Sequence, residues 1–285
     1  MKYNLLSIFF LSVFYLNSLE QECFIEKKIL GFNHPESIVF DGKQFFVSNL
    51  GRELAPLVKD ADGFISRLTR VGSIQDTNYF KNVRLDAPKG MTILNEVIYV
   101  ADIGRIVGLD IKARNSVFEK KLEDVCLLVN DLVAQDENKL LFSCSDKGTI
   151  WQLDLSTDSL TLITNKPWPG ANGLAWDFLN GDLYVATMGS EVVKGTLFKM
   201  DFKSRKNDFL GETEGIWDGI QLARGKLIGS DWQSGQIWLC DFKYNQCKAL
   251  DCGKIFEGPA DFTYLNKKIW LPAMKENTIY VLSVK

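Results

Sequence analysis

The chain predicts an all-β, six-bladed β-propeller, and three observations predict it. A short module recurs six times, every module is made only of strands, and the last module is one strand short while a spare strand precedes the first. The third strand of the module is the clearest copy. It reads GFISRL from Gly63, RIVGLD from Arg105, GTIWQLD from Gly148, GTLFKMD from Gly195, GQIWLCD from Gly235 and NTIYVL from Asn277. Each copy opens on a turn residue and alternates apolar with polar, the period of a strand with one buried face. All-strand repeats of about 40–50 residues are the signature of a propeller.

The elements follow in order. Residues 1–18 form an expected secretory signal peptide, because Lys2 precedes the apolar stretch Leu5 to Leu16. That run is too short to span a bilayer. The protein is therefore expected to be exported, periplasmic or secreted, with no membrane span after signal cleavage. Residues 23–285 are expected to form one propeller domain, since propellers grow by adding blades. CFIEKKIL, Cys23 to Leu30, is the spare strand. Paired with the last module it closes the ring and removes an open edge.

Within each module the first strand, ending in a turn, reads PESIVFDG, PKGMTILN, VNDLVAQDEN, ANGLAWDFLNG, DGIQLARG and ADFTYLN, and the second reads QFFVSNL, VIYVADI, LLFSCSD, LYVATMG, LIGSDW and IWLPAM. Asp41-Gly42, Asn180-Gly181 and Arg224-Gly225 supply the glycines that tight hairpins need. The first module is longer than the others because of an insertion, Arg52 to Asp62, a candidate lid or rim loop.

Hydrophobic residues make up 46% and charged residues 24%, as in an ordinary folded domain, and a net charge of −3 leaves no basic footprint for nucleic acid. Six cysteines fit an oxidising compartment. Cys240 and Cys247 flank a turn-like stretch and could face each other across a hairpin, with Cys252 competing for either. Cys126 and Cys144 form another possible pair, and free buried thiols stay open for each. No CxxC is present.

The residue before each innermost strand is expected at one mouth of the central channel. Those positions are Glu36, Lys89, Asn130 with Asp131, Asn172, Asp218 and Asp261, polar in every module. Converging carboxylate and amide oxygens suit a hard cation such as Ca²⁺. Asn172-Gly173 and Asp218-Gly219 also read as plain turn formers; recurrence at one module position favours the ligand reading. Trp168 and Trp217 lie beside this mouth in sequence and are expected as pocket walls, with Trp232 nearby. His34, two residues before Glu36, is the only histidine, so a multi-histidine zinc centre is excluded. No G-x-S-x-G element points to a serine hydrolase. Asn49, Asp102, Asp146 and Asp231, at the ends of second strands, read as structural groups that bond the next turn.

PES at Pro35 to Ser37, VND at Val129 to Asp131, ANGLAWD at Ala171 to Asp177 and DGI at Asp218 to Ile220 together resemble the senescence-marker protein and gluconolactonase family of six-bladed propellers. The stretches SNLGRELAPLVKDADGFISRL and DAPKGM further resemble an exported bacterial branch of such propellers. The resemblance implies a divalent metal, Ca²⁺ first, on Glu36, Asn172 and Asp218. It implies a substrate-positioning Asn130 and hydrolysis of a small lactone or ester. Acid–base work then falls to Asp218, Asp261 or Lys89, and the substrate pocket takes in Asn130, Trp217, Trp168 and His34. Lys89, whose ammonium would compete with a metal for Glu36 or Asp261, motivates the rival reading: a non-catalytic small-molecule- or protein-binding propeller of the cell envelope.

Overall fold

The computed structural model describes residues 23–209 and 214–284. The expected signal peptide lies outside them. The described residues form six four-stranded antiparallel sheets and one 3₁₀ turn, Met274–Glu276. The sheets are the six blades, and their innermost strands are Pro35–Phe40, Met91–Leu94, Val129–Ala134, Ala171–Asp177, Trp217–Ala223 and Thr263–Leu265. Each innermost strand packs against those of its two neighbours, and blade 6 meets blade 1 to complete the ring. No helix among the described residues is long and apolar enough to cross a membrane.

Ring closure takes the expected form. Cys23–Leu30 is the outermost strand of blade 6 and pairs antiparallel with Thr278–Val284. Of its apolar residues Ile29 is buried and Ile25 is exposed. The register shifts by one residue between Ile25 and Lys27.

Three disulfides resolve the cysteine alternatives. Cys23 joins Cys252, Cys126 joins Cys144 and Cys240 joins Cys247, leaving no free cysteine among the described residues. The first ties the closing strand to the loop that leaves blade 5. The third crosses adjacent strands of blade 5, where Cys240 and Cys247 are register partners.

The core sits between blades. One cluster joins blades 1 and 2 through Phe46, Tyr79, Phe80, Ile98 and Val107, and another joins blade 1 to blade 6 through Phe45, Leu68, Trp270 and Ile279. These side chains come from the alternate positions that the period-2 pattern marked.

The innermost strands depart from simple alternation where it matters for function. In blades 1, 3, 4 and 5 the register slips between Pro35 and Ile38, Val129 and Leu132, Ala171 and Leu174, and Trp217 and Ile220. Two residues there oppose one on the partner strand, which is a β-bulge. In blades 1, 3 and 5 the second bulge residue donates its N–H to a serine hydroxyl of the partner strand. Ser37 donates to Ser48, Asp131 to Ser143 and Gly219 to Ser230, each at 2.9 Å. The bulge is thus held without an orphan donor.

Candidate functional site

The first residue of each bulge is Glu36, Asn130, Asn172 or Asp218. Together with Lys89 of blade 2 they form the polar floor of a cavity of about 350 Å³ at one mouth of the channel. Five of the six expected mouth positions therefore converge. All five are buried.

Bonds between blades fix the floor. Asn172 Nδ2 lies 3.3 Å from the Trp217 carbonyl and 3.4 Å from Asp218 Oδ1. Asn130 Nδ2 donates to Ser145 Oγ at 3.0 Å, and Ser145 donates onward to the Ala171 carbonyl at 2.6 Å. Lys89 donates to the Ala87 carbonyl at 2.9 Å. Gly173 and Gly219 follow two of the floor residues for steric reasons. A Cβ on Gly173 would run into the Asp218 carbonyl, and one on Gly219 would come within 2.5 Å of Asp261 Cα. The lack of a Cβ lets neighbouring blades approach this closely at both positions.

One oxygen of Glu36, Oε2, is buried with no hydrogen-bond partner among the described residues. Burial raises the Glu36 carboxyl well above the usual carboxylate range, and the negative charges of Asp218 and Asp261 raise it further. Asp218 is raised to about 8, by burial first and by Asp261 second. Lys89 is lowered to about 8 by burial, although Glu36 and Asp102 pull the other way. Desolvation thus outweighs the attraction between Lys89 and Glu36. The floor holds protons it would release to a cation, and a buried orphan oxygen is one of the donors a hard cation takes. The residues present therefore fit a divalent ion.

The walls are apolar. Leu50 comes from blade 1, Leu54 and Pro56 from the Arg52–Asp62 insertion, Leu128 from blade 3, and Met188 from blade 4. Ile216 and Trp232 come from blade 5 and Met274 from blade 6. The insertion is a rim loop, as expected. Its base is clamped by Arg52, whose backbone N and Nε both donate to Asp62 at 3.0 Å, while Ala61 N donates to Asp86 at 3.1 Å. Trp232 is held by Nε1–H to Met274 Sδ at 3.4 Å and by the Lys275 ammonium 3.7 Å from its ring centroid.

Four expected site residues lie elsewhere. Asp261 lines a separate cavity toward the opposite mouth, of about 460 Å³, together with Asp131. In blade 6 the register pairs Pro259 with Ala273, and Ala260 N bonds the Pro272 carbonyl at 3.0 Å. Ala260 thus holds the position of Glu36 and Asp218, and Asp261 falls one residue further along. Trp217 is fully buried beneath the floor, edge-on to Trp238 with centroids 6.0 Å apart. Gly229 makes room for its indole, since a Cβ there would lie 3.0 Å from the ring. Trp168 is stacked on Phe198, centroids 4.9 Å apart, in the core between blades 3 and 4. His34 sits in a left-handed turn (φ 50°), its Nδ1 3.1 Å from the Gly51 carbonyl, outside the cavity lining. The tryptophan that does reach the cavity is Trp232. Its one sequence signal was adjacency to Asp231 at a second-strand end.

The second polar ring is structural, as expected. Asn49 accepts from Asn33 N at 3.0 Å, Asp102 from Ala87 N at 2.8 Å, Asp146 from Leu128 N at 2.9 Å and Asp231 from Ile216 N at 3.2 Å. Each staples the segment that leads into an innermost strand. Asp146 also lies beside Cys126 and Cys144, but that pair is joined as a disulfide and offers no thiolate to a metal.

No protein-family model matches the chain, and no curated protein matches it. Solved structures do. Selenomethionine-substituted virginiamycin B lyase from Staphylococcus aureus is similar at 16% identity and TM-score 0.64, over 93% of this chain and 100% of that one. A catalytically inactive variant of that lyase with quinupristin gives 15% identity and TM-score 0.63, with the same coverage. A nidogen/laminin complex gives 15% identity and TM-score 0.60, over 76% of this chain and 78% of that one. At such identities the likeness shows the propeller fold, with an enzyme among the similar structures, and carries no reaction across.

Proposed function

We propose that this propeller is a divalent-metal-dependent hydrolase of a small lactone or ester, exported to the periplasm or beyond. One observation carries the reading: four oxygen-bearing side chains meet on one buried floor, and Glu36 brings an oxygen that no group among the described residues satisfies. Glu36, Asn172 and Asp218 would hold the ion, with Ca²⁺ the first candidate for an all-oxygen set. A bound dication polarises a carbonyl and lowers the pKa of water, which is the chemistry ester hydrolysis needs. Asn130, fixed by Ser145, is placed to orient the substrate carbonyl. In the ion-free site Asp218 is raised to about 8, so it would give up a proton as it takes the ion. Asp261 faces the other cavity, so its part is to raise Asp218 and Glu36 by charge and not to meet the substrate. The resemblance to gluconolactonase-like propellers supports the same ligand set. Three disulfides and the N-terminal apolar stretch support export.

The test is calorimetric titration of metal-stripped protein with Ca²⁺, Mn²⁺, Zn²⁺ and Mg²⁺, followed by lactone and ester turnover with and without the bound ion. Ion binding with ion-dependent turnover is expected. Absence of binding by every ion would end the metal reading. Lys89 favours the alternative, a non-catalytic binding propeller, because its buried ammonium shares the floor with Glu36. Ligand binding that is indifferent to every divalent ion would select that reading.

A further inference from the structure

We infer that the cavity takes an uncharged lactone or ester bearing an unbranched alkyl chain, and selects it over a polyhydroxylated one. The reacting group in this inference rests on the hydrolase reading; the chain rests on the walls alone. Polar side chains are confined to the floor. Above it, Leu54, Pro56, Met188, Ile216, Trp232 and Met274 present carbon, sulfur and an indole already committed to Met274. A hydroxyl pressed against such walls loses its water partners and gains none. A methylene in the same place gains about fourfold in affinity. A carboxylate carried on the chain would lose its water against these walls, which present no cation to it.

The walls also suit chains of differing length. Met188 and Met274 are unbranched and can adjust to a chain's path. Trp232 is pinned by Met274 and Lys275 and supplies a fixed surface. Leu54 stands at the rim with 37% of its surface exposed, on a loop whose two ends are clamped together by Arg52 and Asp62. It is the first apolar group an entering chain would meet.

The experiment uses γ-lactams substituted from ethyl to octyl, which resist hydrolysis, titrated calorimetrically into the purified protein, with gluconolactam as the polyhydroxylated comparison. Affinity is expected to rise about fourfold per methylene until the chain passes the rim, and gluconolactam to bind more weakly than the butyl compound. Leu54→Asn, an exposed rim change that should leave folding intact, is expected to flatten the series at its long end. A flat wild-type series, or tighter binding of gluconolactam, overturns the inference. The lactams need no turnover, so the two readings fail separately. A rising series in a protein that hydrolyses nothing and binds no ion keeps this inference and ends the hydrolase reading. Lactone hydrolysis with a flat series does the reverse.

Discussion

Two groups of buried carboxylates share the channel and are bonded differently. Toward one mouth, Asp131 accepts from Leu132 N and Leu174 N, both at 2.7 Å, and Asp261 accepts from the Ser37 hydroxyl at 2.6 Å. Those bonds join blade 3 to blade 4 and blade 6 to blade 1. At the other mouth, Glu36 keeps an oxygen with no partner, and Asp218 has Asn172 at the long distance of 3.4 Å. Both groups are raised: Asp131 by burial and then by the charges of Asp261 and Asp218, and Asp261 by burial, to about 7. Charge and burial alone therefore do not mark the site. What separates the two is whether the oxygens are used to hold blades together.

The sharpest way to break this contrast is Glu36→Gln. It should lower ion-dependent turnover by about 10³-fold, the upper end for removing one stabilising contact, while leaving the melting temperature of ion-free protein unchanged or higher, since a neutral amide replaces a carboxyl whose ionisation burial already opposes. Calorimetry and a lactone assay check it, and a large fall in stability with ion affinity intact would erase the distinction. Asp131→Ala should act the other way. Two buried N–H groups lose their acceptor, so stability should drop by roughly 2–3 kcal/mol in denaturant unfolding, with ion affinity little changed.

The pH response comes next. Carboxylates whose folded pKa is raised bind more protons folded than unfolded, so stability falls as pH rises from about 4, their unfolded pKa, through about 7 and 8 for Asp261 and Asp218. Lys89, lowered to about 8, is charged unfolded and neutral folded between that pH and about 10.4, so stability recovers over that interval. Melts in chelator should lose at least about 5 °C between pH 4 and pH 8; saturating divalent ion should remove the share of that decline due to Glu36 and Asp218 and leave the share of Asp131 and Asp261, and a slope unchanged by the ion would show that it does not meet the floor carboxylates. The smallest effect belongs to Lys89→Met, which removes a positive charge from the floor and should tighten ion binding about tenfold, or ~1.4 kcal/mol. Loss of ligand binding without any change in ion affinity would instead mark Lys89 as a ligand contact of a non-catalytic propeller.

The strands were legible because alternation and hairpin glycines are local signals, and the ring closure because a missing strand and a spare one are easily matched. Five of the six mouth residues were legible by recurrence. Asp261 was misplaced because a bulge adds a residue that alternation cannot register: Pro-Ala-Asp-Phe at 259–262 was aligned by its aspartate, while the strand is aligned by its proline. Trp217 was misread for a related reason. Adjacent strand residues face apart, so the neighbour of Asp218 belongs to the core. The walls were not legible at all. Met188, Ile216 and Met274 look like core residues in sequence, and only their assembly around one opening shows otherwise.

The closing strand has a consequence in time. Cys23–Leu30 is among the first segments of the domain to be made, and its one strand neighbour among the described residues, Thr278–Val284, is the last strand of the domain. At synthesis rates of roughly 5–20 residues per second, the early strand waits on the order of ten seconds or more before a partner exists. Until then the blades form an open arc with an unpaired edge at its end, and Cys23 has no fixed position opposite Cys252. The ring therefore cannot close before Thr278–Val284 has been made. Whatever shields the edge during that interval governs how much of the chain reaches the native state.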